Sequence, residues 1–264
     1  MRVAVLLSTY NGERYLKEQI DSILGQVGVD VTLFVRDDGS SDKTIEILKE
    51  YENEGIYVSQ GENKGPSNSF MDLMLSVPEE YDYYAFADQD DVWDLDKLEI
   101  ACLALTEQDI PMLYASNQMI TDSENRDIKR RYDVAPPYDL LNIIDKNYLS
   151  GCTFVFNKSL MKLVKSKTPS GELLRSRMHD TWIIAVAAGV GRLIYDDIPH
   201  IHYRQHDANV VGVRDESSSK KIKQKIQGNH INYHAAFADE LLTQYGDELT
   251  VNNKRIAELY SNTK

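Results

Sequence analysis

The run VAVLLSTYNG, residues 3–12, joins a β-branched apolar stretch to a polar turn. Val3 to Ser8 reads as a buried strand, and Thr9-Tyr10-Asn11-Gly12 as the loop on which it stops. Downstream, Tyr15, Leu16, Ile20, Ile23 and Leu24 fall at helical spacing, with Gly25 as the stop. The unit then recurs. A strand over 31–35 breaks at Asp37-Asp38-Gly39-Ser40-Ser41-Asp42, and a helix from Lys43 to Tyr51 follows, capped by Ser41 or Asp42. A strand over 56–59 ends in the loop Asn63-Lys64-Gly65-Pro66, and Ser67 or Asn68 caps a helix through Leu75. A strand over 83–87 runs straight into Asp88-Gln89-Asp90-Asp91. This alternation predicts an α/β fold, a Rossmann-like, mostly parallel central sheet flanked by helices. Ligands of such sheets bind beyond the carboxyl ends of the strands, and every polar cluster named so far lies at such an end.

The second half is less regular. Residues 112–116, 153–157, 193–196 and 201–204 read as strands, and 158–166 and 181–188 as helices. Between them, 121–148 is polar, carries Pro136-Pro137, and reads as a long surface excursion of the kind that often serves function. After Gly212 the composition shifts: Ser217-Ser218-Ser219 leads into KKIKQKIQ (220–227) and two helix-prone stretches. The expected division is therefore a main α/β domain over 1–212, regular over 1–100 and less so over 101–212, and a separate C-terminal helical extension over 213–264.

Composition narrows the class. The chain has 264 residues, 42% of them apolar, enough for one large core. A net charge of −13 argues against nucleic acid as a partner and means that a diphosphate ligand would need a metal or a helix N-terminus. Cys102 and Cys152 have neither zinc nor disulfide-framework spacing, so a reduced, cytoplasmic setting is expected. Val3 to Leu7 is too short for the apolar region of a signal peptide, and no run approaches the roughly 20 apolar residues of a membrane span. The protein is expected to be neither secreted nor integral to a membrane by these routes.

Candidate residues carry a functional and a bland reading each. Asp88, Asp90 and Asp91 would repel one another unless a hard cation such as Mg²⁺ or Mn²⁺ joined them, yet they also suit a solvated turn that caps a helix at Val92. Trp93 offers a sugar-stacking face or a packing ring. Asp38 can accept the imide N–H of a pyrimidine or simply shape a turn with Gly39. Thr9 and Tyr10 can line a base pocket or end a strand. Asp180 is a candidate general base or an N-cap, with His179 beside it in the same position of ambiguity. His206 can ligate a metal and Arg204 can clamp a phosphate, or both can end a polar strand. His200, His202 and His206 alternate, which on a strand would put three imidazoles on one face, a pattern zinc could use. Gly151 can admit a sugar to the backbone or make a bend. Cys152 lacks any evident activating base.

Taken in order, STYNGERYL (8–16), RDDGSSDKT (36–44), ENKGPSNSF (62–70), FADQDDVWDLDKL (86–98), LSGCTFVFNKSL (149–160), MHDTW (178–182) and YRQHDANVVG (203–212) resemble the motifs of glycosyltransferase family 2, inverting enzymes of GT-A fold. Within it, the chain looks most like the bacterial rhamnosyltransferase-type branch, over about residues 2–212, which implies a catalytic GT-A domain over 1–212 with a nucleotide-binding half (1–100) and an acceptor-binding half (101–212). The resemblance implies donor-nucleotide contacts at Thr9, Tyr10, Asn11, Asp38, Asn63, Gly65, Asp88 and Arg204. It implies a Mn²⁺ or Mg²⁺ site at Asp90, Asp91 and His206. Asp180 would be the catalytic base, and Trp93, Gly151, Cys152, His179 and Trp182 would face the sugars. Many relatives carry Glu where this chain has His179, a form associated with the rhamnosyltransferase-like branch. KKIKQKIQ matches none of the family's catalytic elements.

The implied reaction is a single displacement that moves a sugar, rhamnose from dTDP-rhamnose by the branch resemblance, onto a hydroxyl of a cell-surface polysaccharide precursor. UDP-hexoses and their N-acetyl forms remain alternatives, because base contacts barely separate uracil from thymine. A lipid-linked glycan acceptor would place the basic helix over 220–227 against anionic lipid at the inner membrane face, or leave it as a solvated helix or oligomer contact. Two rivals come from other classes. A nucleotidyltransferase would want a Gly-rich basic loop after the first strand, where this chain has one glycine and Arg14. An inactive sugar-binding paralogue would not need Asp38, Asp90 and Asp180 together.

Overall fold

A computed structural model describes residues 1–52, 54–169, 173, 178–207 and 232–263. KKIKQKIQ and the predicted boundary at Gly212 lie outside them.

The first half alternates as expected: β1 (Arg2–Thr9), α1 (Leu16–Leu24), β2 (Asp30–Asp37), α2 (Thr44–Glu50), β3 (Ile56–Gln60), α3 (Pro66–Ser76) and β4 (Tyr83–Ala87). β5 (Val92–Trp93) and α4 (Lys97–Ala104) follow, then β6 (Met112–Thr121), β7 (Asp127–Arg130), α5 (Leu140–Lys146), a 3₁₀ turn (Gly151–Thr153), β8 (Val155–Asn157) and α6 (Lys158–Ser166). α7 (His179–Val190), β9 (Arg192–Arg204), α8 (Tyr233–Tyr245) and α9 (Val251–Ser261) complete the described elements.

The strands form one sheet in the order β3-β2-β1-β4-β8-β6-β9-β5, with β7 paired to β6. β3, β2, β1 and β4 are parallel neighbours. β8 runs against both β4 and β6, so β6 shares the direction of β4, and β9 is parallel to β6. Only the short β5, β7 and β8 run the other way. The carboxyl ends of β1, β2, β4, β6 and β9 therefore open on one edge, which is where the site forms.

Alternation along β1 explains the two-sided core. Val3, Val5 and Leu7 pack with α1, α2 and α4 on one face, while Ala4 and Leu6 pack with α3, α5, α6 and α7 on the other. Several sequence expectations shift. α3 starts at Pro66 rather than at Ser67 or Asn68, because Gly65 at φ 78° turns the chain into a helix whose first position suits proline. No helix begins at Val92, where β5 pairs with β9. The two late strands are one, β9, which follows β6 through register shifts at Ser116 and Asn117. The excursion is partly ordered by β7 and α5.

The C-terminal helices do not stand apart. Phe237, Ala238, Leu241, Tyr245 and Ala257 belong to the same buried cluster as Ile183 and Ile184 of α7. Asn253 donates to the carbonyls of Ala188 (3.0 Å) and Gly189 (2.9 Å), satisfying the C-terminal end of α7. No described helix is long and apolar enough to cross a membrane.

Candidate active site

The base-side loops are stitched together at the ends of β1, β2 and β4. The Thr9 hydroxyl donates to Gln89 Oε1 (2.6 Å), the Tyr10 amide donates to the same oxygen (2.9 Å), and Gln89 Nε2 donates to the Tyr10 carbonyl. Asn11, at φ 50°, accepts from the Ser41 amide and donates its own amide to Ser40 Oγ. Tyr10 is left 48% exposed above this frame. The Asp38 carboxylate is bonded to the Arg36 guanidinium and accepts from the amides of Lys64 (3.0 Å) and Gly65 (2.9 Å). It therefore ties the Asn63–Gly65 loop to the end of β2, and Asn63 accepts from the Gly65 amide. Thr9, Tyr10, Asn11, Asp38, Asn63 and Gly65 thus fall in one contiguous rim.

The acidic loop after β4 divides in two. Asp90 Oδ2 meets His206 Nε2 at 2.8 Å, and the His206 ring lies tilted against Tyr15, centroids 4.8 Å apart. Asp91 turns inward, fully buried, and approaches Asp88 and Cys152, one ligand atom of each lying within 4.8 Å of the others. One Asp91 oxygen accepts a long bond from the Arg204 amide (3.4 Å), and the other is buried with no hydrogen-bond partner among the described residues. The expected trio Asp90, Asp91 and His206 is thus split, with Asp91 on the Asp88 side. Burial, then the charges of Asp90 and Asp180, push the Asp88 carboxyl up to about 7. Burial, then Asp90 and Asp88, raise Asp91 well above the carboxylate range. Crowded carboxylates and an orphaned buried oxygen are what a divalent cation would relieve, so the residues fit one. The Cys152 thiol, itself pushed far up by burial, suits a hard cation poorly.

Asp180 lies in the first turn of α7, not at its N-cap. Its Oδ2 accepts from the Gly151 amide (3.2 Å) and its Oδ1 from the Thr181 amide (2.6 Å). Burial raises its carboxyl above the usual range, and the Thr181 and Gly151 amides oppose that shift. A Cβ on Gly151 would sit 2.9 Å from the Asp180 Cβ, so only glycine lets the turn pack this closely. Met178, immediately before α7, has φ 64° and ψ 156°, a backbone region essentially reserved for glycine. Asp180 also reaches the acidic loop electrostatically, since its charge is felt by Asp88.

Several sequence expectations are corrected here. Trp182 is 1% exposed and packs against Phe237 and Tyr245, so it presents no face to a sugar. Trp93 is 2% exposed beneath the acidic loop, with Lys97 Nζ 3.7 Å from its ring centroid. Arg204 is 2% exposed and turned into the protein, where it pairs with Glu18, donates to the carbonyls of Asp90 (2.9 Å) and Ser123 (3.0 Å), and covers the Tyr15 ring. It braces the acidic loop and turns away from the open rim. Among the described residues the three histidines form no common ligand cluster: His200 lies by Asp96 and Asp196, His202 between Asp94 and Asp127, and His206 on Asp90. His179, buried and stacked on Phe70 at 4.2 Å, is pushed down to about 3 by burial and stays neutral behind Gly151.

Sequence reasoning missed Gln89, Tyr15, Glu18, Lys97 and Arg131. Gln89 sits inside the acidic motif and was hidden by its neighbours' charges. Lys97, at helical spacing in α4, is fully buried with no hydrogen-bond partner among the described residues and pushed down to about 8 by burial. Nothing in a sequence distinguishes it from a surface lysine.

The profile of Glycosyl transferase family 2 matches residues 4–164. The chain belongs to this family. A dTDP-rhamnosyl transferase, RfbG of Shigella flexneri, is 29% identical over 94% of this chain and 87% of its own length. A UDP-Glc:alpha-D-GlcNAc-diphosphoundecaprenol beta-1,3-glucosyltransferase, WfgD of Escherichia coli, is 28% identical over 60% of this chain and 61% of its own. Among solved structures, S. aureus TarS 1–349 in complex with UDP-GlcNAc superposes with a TM-score of 0.67 at 20% identity, covering 99% of this chain and 72% of TarS. A Pyrobaculum calidifontis mannosyltransferase with GDP-Man and Mn²⁺ gives 0.55 at 14% identity, over 97% and 68%. The sheet is that of the GT-A glycosyltransferases, and membership of the family makes the protein a glycosyltransferase that uses a nucleotide-sugar donor.

Proposed function

We propose that the protein transfers rhamnose from dTDP-rhamnose to a hydroxyl of a glycan acceptor, with inversion at the anomeric carbon. The observation that carries the catalytic part is the meeting of two carboxylate groups from opposite halves: Asp88, Asp90 and Asp91 at the end of β4, and Asp180 at the start of α7. The first set suits a cation and a diphosphate. The second is a lone carboxylate, held by two amides and raised above the ordinary aspartate value by burial. Likeness to RfbG along nearly the whole chain supports the choice of donor.

The rim of Thr9, Tyr10, Asn11, Asp38, Asn63 and Gly65 receives the nucleoside, with the exposed Tyr10 ring beside the base. Asp88, Asp90 and Asp91, with His206 beside Asp90, would hold Mn²⁺ or Mg²⁺. When bound, the cation supplies charge neutralisation for the departing diphosphate. Asp180 accepts the proton of the acceptor hydroxyl. The hydroxyl oxygen forms the new bond to the anomeric carbon as the bond to the diphosphate oxygen breaks, its electron pair leaving with the nucleoside diphosphate. Attack comes from the face opposite the leaving group, which inverts the centre. The Gly151 and Thr181 amides fix the carboxylate during this step.

A donor panel tests the reading. With a glycan acceptor and Mn²⁺, dTDP-rhamnose is expected to give the fastest transfer. Faster transfer from UDP-glucose or UDP-N-acetylglucosamine would replace rhamnose and keep the mechanism.

A further inference from the structure

We propose that Arg131, on the excursion between β7 and α5, is a positioning residue for the base, setting the peptide plane whose N–H holds Asp180. The proposal rests on the reading of Asp180 as the base and adds a residue that no catalytic motif contains.

The path is short and continuous. Arg131 is anchored by its own amide, which donates to the Gln118 carbonyl of β6 (2.8 Å). The next residue, Tyr132, is held on both sides: its carbonyl accepts from Asn117 (2.8 Å) and its hydroxyl donates to the Tyr148 carbonyl (2.6 Å). From this fixed point a single guanidinium nitrogen, Arg131 Nη1, donates to Gln118 Oε1 (2.6 Å) and to Ser150 Oγ (2.7 Å). Gln118 passes its amide on to Cys152 Sγ (3.2 Å), so both ends of the 150–152 segment are tied to one arginine.

Ser150 is also held through its carbonyl, which accepts from the amide and hydroxyl of Thr153. The Ser150 carbonyl and the Gly151 N–H belong to one planar peptide unit. Fixing Ser150 by its side chain and its carbonyl therefore fixes the direction of the Gly151 N–H, and that N–H is the one on Asp180 Oδ2. The packing leaves little slack, because Gly151 already sits against the Asp180 Cβ. An otherwise peripheral excursion thus acts directly on the base's orientation.

The test uses Arg131→Ala, Ser150→Ala and the double variant in the full chain with Mn²⁺ and donor, and Asp180→Asn beside them. Each single variant is expected to lower kcat by roughly 10-fold, the loss of about one charge-assisted hydrogen bond, with donor KM unchanged. The double variant should be no slower than Arg131→Ala, because that change already releases the Ser150 hydroxyl. The acid limb of the kcat profile should move to higher pH in all three, since the Gly151 amide that restrains Asp180 is loosened. Arg131→Lys should recover part of the loss. Losses that multiply in the double variant, an unmoved acid limb, or a raised acceptor KM at unchanged kcat would overturn the proposal. If Arg131→Ala does not fold, Ser150→Ala and its pH profile decide alone. Transfer retained by Asp180→Asn would instead remove the base itself, a failure distinguishable from that of Arg131.

Discussion

At the residue scale, the chemistry rests on Asp180 and the acidic loop. Asparagine at position 180 keeps the shape and can accept from only one of the two amides, and it cannot take a proton, so Asp180→Asn should lower transfer by about 10²–10⁴-fold with donor binding nearly intact. Single-turnover transfer beside donor titration checks both halves of that statement. Because burial raises the Asp180 carboxyl, the base is protonated at a higher pH than a free aspartate, and kcat should fall on the acid side as pH drops through that raised value. The legibility of these residues is uneven for a physical reason. Asp88, Asp90, Asp91 and Asp180 stood out because charges at strand and helix ends carry an energetic cost visible in a sequence. Trp93, Trp182 and Arg204 were misjudged because a sequence records that a ring or a guanidinium is present, not which way it points.

At the scale of elements, α7 delivers the base and the C-terminal helices hold α7. Trp182, one turn's packing away from Asp180, is wedged against Phe237 and Tyr245 of α8. Trp182→Ala should cost about 3–5 kcal/mol of stability by opening a cavity, measurable by urea unfolding. Trp182→Phe should keep donor and acceptor KM, whereas a sugar-stacking role would raise one of them. The strands and helices of the first half were legible because each is a short apolar run closed by turn residues. β9 was read as two strands because Asp196, Asp197 and Pro199 interrupt its apolar pattern, while its hydrogen bonds to β6 continue across that interruption by register shifts. The place of α8 and α9 in the core was invisible, since packing between segments far apart in sequence leaves no periodic trace.

At the scale of the whole molecule, a net charge of −13 and a cluster of buried carboxylates make the protein's stability depend on pH and cations. Asp88 has a folded value of about 7, above that of a free aspartate. A raised carboxyl contributes stability that is present below the unfolded value near 4 and lost as pH rises through about 7. The metal-free protein should therefore melt lower at pH 8 than at pH 6, from this group alone. Added Mn²⁺ should raise the melting temperature more at pH 8, where the carboxylates are ionised to receive it. Equal shifts at both pH values would place the cation elsewhere.

The most direct measurement is release of nucleoside diphosphate from dTDP-rhamnose and a panel of UDP-sugars, with and without Mn²⁺ and with a glycan acceptor, by the wild-type protein and Asp180→Asn. The account predicts metal-dependent release coupled to transfer in the wild type, and loss of transfer in Asp180→Asn with donor binding kept. Absence of release from every donor in a folded wild-type protein, or equal transfer by both proteins, would contradict it.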